Sequence, residues 1–232
     1  MDRSAIETIQ EGAAPVFKDL NGKTFSNKEF YPVMDNSIKK AIEVTNLDSV
    51  VRFLDGKGAD EFLINIRNYR RADILSQKCD ILGKRNRWLI AEPDLPGYEL
   101  NCFLEMTKAI IALKTKFKQT EQIDTLVKTL GNITSSKVNT VLDDGITQKV
   151  EMAEGITLSK SDKMPLFVNL IPYFTFFDVD QPEIPFLIRL REGGQGLPVV
   201  GLFPADGGLW KEKCIGKIRD FFAQRIPEIT FL

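Results

Sequence analysis

Apolar residues recur at helical spacing in a few stretches of this chain and alternate with polar ones in several others. The longest helical stripe lies at 101–118, where Phe103, Met106, Ile110, Leu113 and Phe117 recur at three- and four-residue steps. That predicts one helix with a continuous buried face. A second is predicted from Thr120 through Ile123, Leu126, Val127 and Leu130, with Gly131 as a left-handed stop. A third follows Asp206-Gly207-Gly208 and presents Trp210, Cys214, Ile218 and Phe221 or Phe222 on one side. Shorter helices are predicted at 3–13 and around Ile38, Ala41 and Ile42. Another starts at Thr45-Asn46-Leu47-Asp48, runs through Val50, Val51, Phe53 and Leu54, and ends at Gly56 and Gly58.

Two-residue alternation marks the strands. Phe62, Ile64 and Ile66 alternate with Leu63, Asn65 and Arg67. Ala72–Ser76 and Trp88–Ala91 flank the turn residues Gly83 to Asn86, and Pro93 and Pro96 close the segment. Ile146, Gln148, Val150 and Met152 alternate after the turn Asp143-Asp144-Gly145. Further strands are predicted at Phe167–Leu170, Thr175–Phe177, Phe186–Arg191 and Val199–Phe203, and a hairpin about Asn21-Gly22 joins Phe17–Leu20 to Thr24–Phe25. No regular βαβ alternation is present. The order predicts an α+β fold: a mixed or antiparallel sheet with packed helices and the C-terminal helix on the sheet. Residues 1–232 are expected to form one compact domain, with possible subdivision near 93–100 and 131–136.

Composition narrows the chemistry. The 232 residues are 43% hydrophobic and 27% charged, with no window near ~18 consecutive apolar residues that would span a membrane. The N-terminus lacks the basic start and apolar run of a signal peptide, so a cytoplasmic protein is expected. Histidine is absent, which removes Ser-His-Asp and Cys-His catalysis and every histidine-bearing zinc site within one chain. Cys79, Cys102 and Cys214 are odd in number and far apart, so each is expected in the core as a small apolar residue. No cofactor and no metal is expected.

Charge is balanced overall, at 31 Lys+Arg against 32 Asp+Glu, but unevenly distributed. Residues 62–88 hold Arg67, Arg70, Arg71, Lys78, Lys84, Arg85 and Arg87 against Asp73 and Asp80 alone. With Tyr69 and Trp88 interleaved on a strand pair, Arg67, Arg70, Arg71, Lys84, Arg85, Arg87 and Trp88 form the leading binding candidate. A basic sheet carrying aromatic rings can track single-stranded nucleic acid. The competing reading is a solvated face whose cations pair with acids elsewhere.

The carboxylates carry the next candidates. Asp143 and Asp144 sit at a turn, and Asp178, Asp180 and Glu183 cluster further on. Converged, they could hold Mg²⁺ for phosphoryl chemistry; apart, they shape turns. Asp206, Gly207 and Gly208, between strand and helix, could expose amides to an anion, although Asp206 is well suited to cap those amides itself. Gly22-Lys23-Thr24 lacks the first glycine of a phosphate loop, because Phe17 stands there. The aromatic run Tyr173–Phe177 suits sheet core or a subunit contact.

Three blocks carry a family resemblance. They are Asp143-Asp144-Gly145-Ile146-Thr147-Gln148-Lys149-Val150, then Pro172-Tyr173-Phe174-Thr175-Phe176 with Val179-Asp180-Gln181-Pro182-Glu183, and Leu202-Phe203-Pro204-Ala205-Asp206-Gly207-Gly208-Leu209-Trp210. These resemble a family of bacteriophage and prophage proteins, chiefly of Gram-positive hosts and related to the YfdQ-like prophage proteins. The resemblance is good over 130–222, patchy over 60–128 and weak elsewhere. It implies phage origin and the cytoplasm of the infected bacterium, and it supplies no catalytic residues. The expectation is therefore a non-enzymatic accessory protein acting by binding, as a homo-oligomer. Its partner would be a host or phage protein or a small signalling molecule, as in host takeover or anti-defence. Single-stranded-DNA binding in phage replication or recombination is the alternative.

Overall fold

The computed structural model describes residues 16–20, 23–26, 40–79, 83–134, 137–143, 147–154, 157–194 and 197–232. Residues 1–37 and 38–232 separate into two units. In the first, β1 (Phe17–Leu20) and β2 (Lys23–Ser26) form the expected hairpin, with Phe17 opposite Ser26. The helix expected at 3–13 lies outside the described residues.

In the second unit, alternation over 62–91 builds a five-stranded mixed sheet. Its strands are β3 (Ile42–Val44), β4 (Phe62–Asn68), β5 (Arg71–Cys79), β6 (Arg85–Ala91) and β14 (Thr230–Phe231), in the order β14-β4-β5-β6-β3. β4, β5 and β6 run antiparallel, and β14 and β3 add parallel edges. The helix expected around Ile42 is thus strand β3. Its Val44 stands beside Ala91 and packs on the core, so sheet pairing outweighs a weak local period. One face presents Phe62, Ile64, Ala72, Ile74, Leu89 and Ala91 to helix α1 (Leu47–Leu54), where Leu47, Val50 and Leu54 are buried. Asn46 caps α1, accepting the Ser49 amide at 2.8 Å.

A second, antiparallel sheet has the order β11-β12-β13-β7, from β7 (Phe103–Glu105), β11 (Phe167–Leu170), β12 (Ile184–Glu192) and β13 (Pro198–Pro204). Helices α2 (Met106–Thr115) and α3 (Glu121–Thr134) cover its inner face, burying Met106, Leu113, Ile123, Leu126, Phe186 and Ile188 together. The single helix expected over 101–118 is shorter. Asn101 turns the chain at φ 61°, and Phe103–Glu105 pairs with β13, where Phe103 meets Phe203 edge-on. Gly131 does not stop α3, which continues to Thr134, and its φ is not positive. A third sheet is the meander β8 (Lys137–Asp143), β9 (Thr147–Glu154) and β10 (Thr157–Pro165); the last strand was not expected.

Helix α4 (Leu209–Arg225) ties the two cores together. Its stripe is the predicted one: Trp210 and Cys214 enter the core of the four-stranded sheet, while Ile218, Phe221 and Phe222 enter that of the five-stranded sheet. Each fully buried phenylalanine contributes roughly 1.5–3 kcal/mol from its apolar surface. The segment 171–183, expected to contain a strand at Thr175–Phe177, is an irregular clasp. Phe174 enters one core and Phe176 the other. Gln181 replaces a partner strand: its Oε1 accepts the Phe174 and Thr175 amides, and its Nε2 donates to the Thr175 and Phe176 carbonyls. Phe177 is exposed. Among the described residues, no helix is long and apolar enough to cross a membrane.

Candidate functional site

The outer face of the five-stranded sheet holds the basic strip. Ala72 and Ile74 point into the core, so alternation turns Asp73 to the opposite face. Asp73 is nonetheless fully buried, because arginines from three adjacent strands close over it. Arg71 of β5 donates from Nε to Asp73 Oδ1 at 2.9 Å. Arg67 of β4 and Arg87 of β6 bring Nε to 2.9 and 3.1 Å from Oδ2. These last two approach off the hydrogen-bond axis and act as ion-pair contacts. A lone buried carboxylate would be costly; a shared one holds three cations at one place. Their aliphatic stems supply the cover.

The cluster is not neutral. Glu92 reaches Arg71 at 3.7 Å, and one formal positive charge is left over even when it is counted. Arg67, Arg71 and Arg87 keep 48%, 27% and 38% of their side chains exposed. Among the described residues, the terminal amino groups of Arg67 and Arg87 have no hydrogen-bond partner. Two adjacent guanidinium forks are therefore held in place with donors to spare, an arrangement suited to a planar or tetrahedral oxyanion.

Other residues of the strip do not join this cluster. Arg70 lies over the Tyr69 ring and donates to the Phe174 carbonyl at 3.3 Å, so it fastens the clasp. Arg85 folds back on its own hairpin, donating to the Ser76 carbonyl at 2.9 Å and to that of Gln77. Lys84 is exposed beside it. Trp88 is corrected most. The register slips between Ile74 and Leu75, and the indole packs edge-on to Phe62 at 5.8 Å with no acceptor for its N–H among the described residues. Tyr69 likewise stacks edge-on to Trp210 at 4.6 Å. Both rings are partly buried against the cores.

The acid candidates disperse. Asp178 spends both oxygens on the α1 N-terminus, accepting the Leu47 and Asp48 amides at 3.1 Å each. Asp180 and Glu183 are exposed, and the Asp180 carbonyl accepts from Lys217 at 2.9 Å. Asp206 caps α4, accepting the Gly208 amide at 3.1 Å and the Trp210 amide at 2.9 Å, which leaves that turn no free amide pair for an anion. Gly207 and Gly208 are there for φ values of 66° and 90°. Asp143 closes β8, and Asp144 lies outside the described residues. Among the described residues, no three Cys, Asp or Glu side chains gather as a metal cage would require. Of the thiols expected in the core, Cys214 is buried there, whereas Cys102 is only partly buried and Cys79 is exposed. Burial pushes the Cys214 thiol up to about 11, and it raises the Tyr98 phenol further; both sit in the core, away from the arginines.

Sequence reasoning gave no role to Asp73 or Gln181, and it offered Asp178 as a metal ligand or turn former where the structure makes it the α1 cap. Only Asp73 left a signal: an acid between apolar neighbours in a strand flanked by arginine-bearing strands. Fold and site together define an α+β protein of two main sheets joined by one C-terminal helix, with an arginine cluster on an outer sheet face. No family model, curated protein or solved structure matches the chain.

Proposed function

We propose that this chain is a non-enzymatic phage accessory protein that acts in the cytoplasm of the infected bacterium by binding a phosphate-bearing ligand. The carrying observation is the Asp73 anchor, which holds Arg67, Arg71 and Arg87 side by side with unused donors. A small signalling nucleotide suits a patch of this size, and sequestering one would serve host takeover or anti-defence. Single-stranded DNA offers the same phosphate chemistry and is the second source. It is the weaker reading, since Trp88 and Tyr69 are partly buried and already engaged by Phe62 and Trp210, which leaves less ring face for a base. Self-association belongs to the proposal as well, with Phe177 and Leu209 among the exposed apolar residues available for it. Light scattering across protein concentration tests that part, and a strict monomer overturns it.

Fluorescence anisotropy with a labelled cyclic dinucleotide and a labelled single-stranded oligonucleotide, each at two salt concentrations, tests the ligand. Binding should weaken with salt, with a log–log slope of about −2 for the oligonucleotide if three arginines engage phosphates. Arg67→Gln with Arg87→Gln should abolish it. No binding of either probe at low salt overturns the proposal.

A further inference from the structure

The free edge of β11 lies on the other sheet, remote in sequence from the arginines. Its register sets which peptide groups face outward. The Ile188 amide donates to the Leu166 carbonyl at 2.8 Å, so the pair Leu166/Ile188 is hydrogen-bonded. With Phe167 opposite Leu187 and Asn169 opposite Pro185, alternation makes those two rungs the non-bonded ones. Pro185 has no amide to offer, which fits. The N–H and C=O groups of Phe167 and Asn169 therefore point away from β12. Among the described residues they have no partner.

The same edge is already paired two residues further on. Lys118 donates its amide to the Ile171 carbonyl at 2.8 Å, Tyr173 donates to the Lys116 carbonyl at 3.1 Å, and Phe117 bridges Pro172 in antiparallel sense. The chain then turns into α3, and among the described residues no strand pairs with the rest of the edge. Between α3 and this edge runs a groove of about 500 Å³, lined by Thr125, Leu126, Phe167 and Val168. Glu121 lines the groove, and Glu183 joins it in a smaller cavity that adjoins the groove at Glu121, Gln122 and Asn169; neither acid has an ion-pair partner among the described residues.

We propose that this groove docks an extended peptide, which joins the sheet beside β11 as a fifth strand. Unpaired edge amides supply main-chain affinity, the Leu126 and Val168 side takes an apolar residue, and the two acids select a basic one. A second copy of this chain paired edge to edge fits less well, because β11 is Phe-Val-Asn-Leu and brings no basic side chain for the acids to take.

The probes are a fluorescein-labelled hexapeptide of alternating valine and lysine, its valine–glutamate counterpart, and two versions of the first N-methylated on one or the other alternate set of residues. The valine–lysine peptide should bind, and the acidic one at least tenfold more weakly. Only one of the methylated versions should lose binding, since a strand presents alternate amides to each side. Asn169→Pro removes an outward amide without touching a bond to β12 and should weaken binding about tenfold. Thr125→Trp, at an exposed helix position, should fill the groove and abolish binding with the melting temperature unchanged. Equal binding of both methylated peptides, equal binding of the acidic peptide, or no binding at millimolar peptide overturns the proposal. So does concentration-dependent dimerisation that Thr125→Trp removes, which would assign the groove to a second copy.

Discussion

Replacing Asp73 with Asn keeps the shape of the buried side chain and removes the charge that gathers three arginines. Arg71 makes one aligned, charge-assisted hydrogen bond at 2.9 Å, and Arg67 and Arg87 add two ion-pair contacts from half-exposed side chains. A hydrogen bond to a charged group contributes roughly 1.5–3 kcal/mol, and an exposed ion pair about 0–1 kcal/mol after solvent screening. Asparagine recovers part of this by accepting one guanidinium through Oδ1. The expected loss is about 2 kcal/mol, a sizeable part of the roughly 5–15 kcal/mol that holds an ordinary domain together. Urea unfolding followed by tryptophan fluorescence should show a lower midpoint with an unchanged slope. In thermal melts the shift should be about 4–8 °C for a chain of this size. Salt adds a signature of its own. In Asp73→Asn the guanidinium groups repel one another without a counter-charge, so raising the salt should narrow the gap to the parent protein. Combining Asp73→Asn with Arg67→Gln should cost less than the sum of the single changes. A variant within about 0.5 kcal/mol of the parent at low salt refutes the account of Asp73 as the anchor.

Asp178→Ala should destabilise the protein by about 1 kcal/mol in urea, because α1 loses a two-amide cap, while Asp180→Ala should stay within about 0.5 kcal/mol. Gln181→Leu leaves the Phe174 and Thr175 amides without an acceptor and should cost about 3 kcal/mol, read as a lower urea midpoint. Cys214 makes stability depend on pH. Above about 9 the unfolded chain releases the thiol proton while the folded one keeps it until about 11, so stability falls with rising pH across that window. A Cys214→Val variant should lack that part of the slope when melts of the two proteins are compared. In the native state, iodoacetamide should label Cys79 first and Cys214 only on unfolding.

Much of the fold was legible in the chain itself. The α4 stripe, the strands at 62–68 and 167–170 and the Asn46 start of α1 all follow from local periodicity and capping, which depend on near neighbours. The same holds for Asp206, whose cap is local. Periodicity failed where a distant partner decided the outcome. Phe103–Glu105 became a strand because β13 lay beside it, Ile42–Val44 because β6 did, and Phe174–Phe176 left the strand pattern because Gln181 satisfied its peptide groups.

The basic strip shows the same division. The sequence by itself determined that arginines would crowd residues 62–88 and that no histidine could serve as base or ligand anywhere in the chain. Only the tertiary structure decided which arginines meet. Strand register brings Arg67, Arg71 and Arg87 onto Asp73, sends Arg70 to the clasp and Arg85 to its own hairpin, and turns Trp88 inward. The physical reason is that side-chain facing follows pairing register, and the β5–β6 ladder shifts register twice, at Ile74/Leu75 and again before Cys79.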